Sequence, residues 1–335
     1  MAAPHKPGAQ TDSRLGRIVR LLVANAMVVV SGTKIASEIG TSRSEVWRLI
    51  QQLRALGVDI GGHPATGYSL KSVPDLLLPD MLAPLLAGTL FGKHIHHYYK
   101  TGSTNTVAME AAAAGAPEGS VFLAEQQTAG RGRGANQWHS ARSVGIYCSV
   151  VLRPALPPSD VLVLSLAAGL AVHAAVEEIG TPVAPDLRWP NDVLIGGKKF
   201  CGILTEMNAE VTRVRHVVVG IGVNVNQTSF PAELQSSATS LRQVTGSEWS
   251  RVELCAALLK SLDREYRELR ENPEARESIL RRFSERSSWV RGARVRVDEN
   301  GGFEGITEGL DSRGFLRVNT GQGARTVLSG TVRKL

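Results

Sequence analysis

The 335-residue sequence predicts an α+β protein in three parts: a small helical domain with a β hairpin, a larger domain of mixed sheet and helices, and a small all-β domain. Three observations predict it. Apolar residues recur at helical spacing from Leu15 to Leu56, strand-length apolar runs alternate with helical ones in the middle, and only short alternating segments with turn residues follow Trp289. With 43% hydrophobic and 21% charged residues the composition is that of an ordinary globular protein with room for two or three domains. A net charge of +7 permits contact with nucleic acid or phosphorylated ligands without requiring it. Cys148, Cys201 and Cys255 are odd in number and far apart, so neither a disulfide framework nor a C-x-x-C metal site is expected. Arg14, Arg17 and Arg20 before "LLVANAMVVV" mimic a signal peptide, but Asn25 interrupts the run and a helical pattern follows. The apolar stretch 161–176 contains Ser165 and His173 and is short for a bilayer, so a soluble, cytoplasmic protein without a membrane partner is expected.

Taken in order, residues 1–13 are expected to be disordered and residues 14–72 to form the helical domain. Ala36, Gly40 and Val46 carry helix-turn-helix spacing, with a small residue where helices cross and a glycine in the tight turn. Ser42-Arg43-Ser44-Glu45 reads as a capping box. Val46, Leu49, Ile50 and Leu53 make the buried face of the second helix and leave Arg43, Ser44 and Arg48 pointing outward. "VDIGGHPATGYSL" reads as the wing of a winged helix. Residues 1–70 hold eight Lys/Arg against four Asp/Glu, which suits a phosphate backbone and favours DNA binding over a packing unit alone.

The larger domain is expected over 80–286, after the linker "KSVPDLLLPD". "KHIHHYYK" alternates like a strand, and Ser103 or Thr104 can cap a helix running through the alanines to Gly115. The same short polar residues can hydrogen-bond a small ligand. His94, His96 and His97 lack a fourth ligand, and no metal site is assigned. "AEQQTAGRGRGANQW" opens onto a second strand instead of a helix and has no Gly-Lys-Ser/Thr, so it is neither a dinucleotide fingerprint nor a Walker A loop. It reads as a flexible loop whose amides and two guanidiniums can wrap an anion, against the plainer reading of a mobile basic surface loop. "LRWPNDVLIGGKKFCGILTEM" predicts a strand, a Gly-Gly hairpin and a second strand that places Lys199 near a cleft; an edge-strand lysine is the plainer reading. "HVVVGIGVNVNQ" is an apolar strand whose Gly220 and Gly222 admit a close ligand or a bulge. "DVLVLSLAAGLAVHAAVEEIG" should be a long helix packed on the sheet, and 250–286 two charged amphipathic helices broken near Pro273. Residues 287–335, with "ARVRV", "GFLRV" and the turn "DSRG", suggest a small β barrel.

The order Ser-Thr-Asn, Gln-x-x-Gly-Arg-Gly-Arg, Arg-Trp-Pro-Asn-Asp, Lys-Lys-x-x-Gly-Ile-Leu-x-Glu and Gly-Ile-Gly-x-Asn-x-Asn resembles the biotin protein ligases. With a winged helix in front it is similar to the bifunctional bacterial members that also repress the biotin operon. The resemblance implies a central class II synthetase-like mixed sheet and a C-terminal SH3-like β barrel. It implies that biotin and ATP, with magnesium as activator, give biotinyl-5′-adenylate, and that the acyl group passes to a lysine of the biotin carboxyl carrier domain of acetyl-CoA carboxylase. By similarity Ser103, Thr104, Asn105 and Gln127 bind biotin. Arg131, Gly132 and Arg133 form a loop closing over biotin and adenylate, Lys199 meets the carboxylate and then the phosphate, and Trp138, Asn191 and Asn224 lie on the adenine side. Lys199 and Arg133 are the implied catalytic groups. Operator DNA and a homodimer in the adenylate-bound state are the further implied partners. The chain departs from the family at Ala135 and Asn136, where a glycine and an arginine are usual. Alternatives are a lipoate or octanoate ligase, a ligase whose winged helix is not regulatory, and a sensor-repressor without ligase activity.

Overall fold

The computed structural model describes residues 13–25, 28–55, 57–72, 75–299, 301–328 and 330–335. The disorder expected over 1–13 therefore lies outside the described residues, apart from Ser13, which opens the first helix.

Three helices, α1 (Ser13–Ala24), α2 (Gly32–Ile39) and α3 (Arg43–Ala55), pack around Ile18, Leu22, Ile35, Leu49 and Leu53. Gly40 takes the left-handed conformation that the α2–α3 turn requires (φ 69°), and its N–H closes α2 onto Ala36 and Ser37. Only half of the expected capping box forms. Ser42 Oγ accepts from the Glu45 amide at 3.2 Å, but the Glu45 carboxylate pairs with Arg48 instead of reaching back. The hairpin of β1 (Ile60–His63) and β2 (Gly67–Leu70) is the wing, and Arg54 holds it by donating to the Ile60 and Gly62 carbonyls. The core of this unit runs on through Leu76 and Leu78 of the linker to Met81 and Tyr99, so the winged helix is packed onto the larger domain. The short helix α4 (Pro79–Leu82) follows, and its Asp80 pairs with Arg20.

The central sheet has seven strands. They are β3 (Ile95–Tyr98), β4 (Val121–Ala124), β5 (Gly145–Leu152), β6 (Asp186–Arg188), β7 (Asp192–Ile195), β8 (Lys198–Ala209) and β9 (Val214–Asn224), in the order β3-β4-β5-β9-β8-β7-β6. Only β3 and β4 are parallel, and the crossover that a parallel pair demands is α5 (Thr104–Ala113). One face of the sheet is covered by α5 through Ala108, Ala112, Phe122, Val151 and Val218. The other is covered by α6 (Leu162–Glu178), apolar on every side and almost wholly buried, with α8 (Arg251–Glu271) and α9 (Ala275–Glu285) behind it; the small helix α7 (Leu241–Thr245) lies before α8. An all-round apolar helix of this kind belongs in a core. The β7–β8 turn is Gly196-Gly197, both at positive φ, as a two-residue hairpin of that sequence demands.

The C-terminal unit is a five-stranded antiparallel sheet of SH3-like kind, β10 (Arg291–Val297), β11 (Phe303–Leu310), β12 (Leu316–Thr320), β13 (Gly323–Val327) and β14 (Val332–Lys334), in the order β13-β12-β11-β10-β14. It is fastened to the central domain by the Trp189 indole N–H, which donates to the Gly314 carbonyl at 2.8 Å.

Candidate active site

The α5-covered face of the sheet has a patch that the helix leaves bare. Antiparallel register sets Gly202 opposite Gly222 and Leu204 opposite Gly220 between β8 and β9, and Tyr147 and Ser149 of β5 opposite Gly222 and Gly220. All of these point to the α5 side, since side chains alternate along a strand. Three glycines among them leave a hollow where α5 begins. It is lined by Ser103, Thr104, Asn105, Gln127, Arg131, Gly132, Arg133, Trp138, Asn191 and Lys199. The structure thus brings together every sequence-predicted ligand-site residue except Asn224. That side chain is buried beyond the lining, its amide donating to the Thr239 carbonyl and accepting from Gln227.

The glycines are occupied from above. A Cβ on Gly220 would lie 1.9 Å from Asn105 Oδ1, and one on Gly222 would lie 2.5 Å from the Trp138 indole. Asn105 and Trp138 therefore rest directly on the backbone of β9, and no larger residue fits beneath them. Ser103 stands at the N-cap of α5 without making a side-chain cap. The capping role falls to Gln127, whose Oε1 accepts from the Thr104 amide at 2.8 Å and faces the Thr104 hydroxyl at 3.1 Å. Gln127 in turn donates to Ser140, and Ser149 Oγ donates to Asn105 Oδ1 at 2.6 Å. The polar groups that face the hollow are thus held in fixed orientations by one another.

The glycine-arginine loop is a small hairpin, closed by Gly132 N–H to the Asn136 carbonyl and Trp138 N–H to the Gly130 carbonyl. Its two arginines do not act as a pair. The Arg131 guanidinium turns outward onto Glu206 in a two-pronged contact at 2.7 and 2.9 Å. Arg133 turns inward. Burial pulls its pKa below the usual arginine value, opposed by the charges of Asp192 and Glu299. Lys199 reaches the hollow because a bulge between β7 and β8 shifts the register there, so that Val193 faces Cys201 while Leu194 faces Lys199. Its ammonium lies 2.6 Å from Asp192 and 5.5 Å from the centre of the Trp138 ring. Asp192 also accepts from Arg188. One carboxylate thus parks the lysine at the mouth of the hollow, where an incoming anion would compete for it. Asn191 donates to the Ile203 carbonyl and is fixed against β8. A second, more open hollow continues from Arg133, Trp138 and Asn191 to Gly330, Thr331 and Val332 of the C-terminal unit.

Sequence reasoning missed a buried ionic cluster beneath the loop. Glu125 and Arg251 pair at 2.8 Å, both almost without exposure. Glu125 Oε1 also accepts from the Leu77 amide and faces His97, and Arg251 donates to Asp75 of the linker and to the Gly145 carbonyl. Burial would raise the Glu125 carboxyl, but Arg251 first, then His97 and the Leu77 N–H, outweigh it and hold it at about 2. The only local signal was an arginine one place inside a helix start.

On the winged helix, Arg43, Ser44 and Arg48 are all exposed, as expected. Arg43 donates to the Pro64 carbonyl in the wing, Ser44 meets Ser42, and Arg48 pairs with Glu45. Trp47, which sequence reasoning passed over, is 48% exposed on the same helix.

Comparisons with known proteins agree with this architecture part by part. Residues 98–224 match the biotin/lipoate A/B protein ligase family, residues 14–69 an HTH domain, and residues 292–335 the biotin protein ligase C-terminal domain. The chain is 37% identical over 306 residues to the bifunctional ligase/repressor BirA of Bacillus subtilis, covering 90% of this chain and 93% of that one. It is 37% identical over 240 residues to the biotin–[acetyl-CoA-carboxylase] ligase of Mycobacterium tuberculosis, covering 70% and 86%. The biotin protein ligase of Aquifex aeolicus in complex with biotin and ATP matches with a TM-score of 0.63 at 30% identity, over 72% of this chain and all of that one. The chain belongs to the biotin protein ligases of the bifunctional ligase/repressor type.

Proposed function

We propose that the protein activates biotin with ATP to biotinyl-5′-adenylate and transfers the biotinyl group to a lysine of a biotin carboxyl carrier domain. The observation that carries this reading is the glycine-floored hollow, with Asn105, Thr104 and Gln127 at one end and Lys199, Arg133 and Trp138 at the other. The first group offers a neutral cluster of amide and hydroxyl functions suited to a ureido head. The second offers positive charge beside an aromatic face, suited to a carboxylate meeting a phosphate under an adenine ring. In the first step a biotin carboxylate oxygen attacks the α-phosphorus and pyrophosphate leaves. In the second, the carrier lysine amine attacks the acyl carbon, AMP leaves with the bonding pair, and the amine proton is lost to water. Neither step uses a covalent enzyme nucleophile; Lys199 and Arg133 position the anionic groups and offset their charge. Biotin is assigned to Ser103, Thr104, Asn105, Gln127 and Lys199, and the loop Arg131-Gly132-Arg133 to closure. Trp138 and Asn191 face the adenine side, with Asn224 supporting the strand end behind them.

Among the described residues no cluster of three His, Cys, Asp or Glu could hold a metal. Magnesium fits the site as a companion of the nucleotide phosphates, which is how this ion is commonly held. It would neutralise phosphate charge there. The winged helix, with Arg43, Ser44, Arg48 and Trp47 exposed, is assigned to operator DNA, with repression by a homodimer of the adenylate-bound protein in the cytoplasm.

The test is transfer of labelled biotin to a carrier domain by purified protein. Labelling should require ATP and magnesium, and Lys199→Ala should lower adenylate formation by about a hundredfold or more. Labelling by lipoate or octanoate in place of biotin would overturn the substrate assignment.

A further inference from the structure

Glu206 lies on β8 seven residues beyond Lys199, opposite Val218 and on the same face as the glycine floor. No ligand role was read for it in the sequence, and it does not line the hollow. Its carboxylate nevertheless joins two parts of the site. Oε1 accepts from Arg131 at 2.7 Å. Oε2 accepts from Arg131 at 2.9 Å and from the Asn105 amide at 3.1 Å. A carboxylate is acceptor-only with room for about four hydrogen bonds, so one group can serve a guanidinium fork and a carboxamide together. Asn105 is otherwise fixed by Ser149 at its oxygen and by the Leu204 carbonyl at its nitrogen. Arg131 stands at the first turn of the loop hairpin, and its guanidinium reaches away from the loop to Glu206 on β8.

We infer that Glu206 is a positioning residue that latches the closing loop to the residue holding the biotin head group, so that retention of the adenylate depends on it. The inference rests on the ligase reading above and deepens it. Arg131 then lines the hollow but commits its guanidinium to β8 as the loop's anchor, while Arg133 is the arginine that faces the ligand. The pair is partly exposed, with Arg131 47% and Glu206 23% open to solvent, so its contribution to overall stability is small. Its effect is on geometry. With the latch made, the loop returns to one position relative to Asn105; without it the hairpin keeps its internal bonds but loses its register on the sheet.

The experiment uses the full-length protein loaded with labelled biotin and ATP, then chased without carrier domain, and follows release of labelled adenylate. Glu206→Gln and Arg131→Met should each release it about fivefold faster than the parent. The double variant should be no faster than either single one, because both remove the same contact. Raising salt should speed release from the parent toward the variants and leave the variants unchanged. Glu206→Ala, which also strips the Asn105 contact, should raise the KM for biotin above that of Glu206→Gln while kcat for adenylate formation holds. Unchanged thermal midpoints together with faster release separate latching from a purely structural role. Release from both single variants at the parent rate, or additive effects in the double variant, would overturn the latch. Failure of the parent to load adenylate at all would instead overturn the ligase reading.

Discussion

At the scale of single residues the site depends on what is absent as much as on what is present. Gly222 has ordinary extended geometry, so its requirement for glycine is one of space: the Trp138 indole occupies the position of its missing side chain. Gly222→Ala keeps the strand and its ladder but drives a methyl into the ring. The expected result is a folded protein whose Trp138 is displaced, with altered tryptophan fluorescence and a KM for ATP raised about tenfold, while biotin binding at Asn105 changes much less. Equal loss of both substrates would place Trp138 over the whole hollow and not at its nucleotide end. Lys199 and Asp192 make the complementary point about charge. On the proposed mechanism their pairing is the resting state of a group that changes partners when an anion enters, and the bulge in β7–β8 is what aims the lysine at the hollow.

At the scale of elements, the glycine-arginine loop divides its labour. Arg131 fastens it to β8 and Arg133 faces inward toward Asp192, in a partly buried position. Removing the inward charge should leave the hairpin bonds at Gly132 and Trp138 intact. Arg133→Gly should therefore still make adenylate but lose it to solvent, seen as biotinylation of bystander proteins in a mixture. A variant that released no more adenylate than the parent would sink the assignment. Much of this level was legible in the sequence. The helix-turn-helix, the Gly-Gly hairpin, the long apolar helix and the helix pair around Pro273 are set by local periodicity and turn residues, which a linear reading detects. The division between Arg131 and Arg133 was not legible, because Glu206 is 75 residues away and its partner is chosen by the sheet register. Likewise the Ser103 cap was a sound local reading that lost to Gln127, a residue delivered by the neighbouring loop.

At the scale of the whole molecule, the buried cluster of Glu125, Arg251, Asp75 and His97 ties the linker, the two roots of the loop and α8 into one unit. Glu125 directly follows β4 at the start of the loop, and Gly145, whose carbonyl also accepts from Arg251, begins β5 after it. The partners are 126 and 176 residues from Arg251, which is why no sequence pattern announces them. Since the Glu125 carboxyl is held at about 2 in the folded protein against an ordinary 4.5, its contribution is complete above about pH 4.5 and is lost as pH falls through 4.5 toward 2. Glu125→Gln is nearly isosteric but leaves Arg251 short of a counter-charge in a dry site, a change that costs about 3–5 kcal/mol at neutral pH. Protonating the parent's carboxyl makes the parent resemble the variant. The stability gap between the two proteins, followed by urea unfolding across pH, should therefore be flat between pH 6 and 5 and narrower by about 2 kcal/mol at pH 3. Because Asp75 and Leu77 of the linker are bonded into the same cluster, the variant should also expose the linker to protease at pH 7 before the central sheet unfolds. Parallel stability curves down to pH 3 would mean that folding leaves the Glu125 carboxyl at its ordinary pKa, and the cluster would then bring no net ionic gain from that carboxylate.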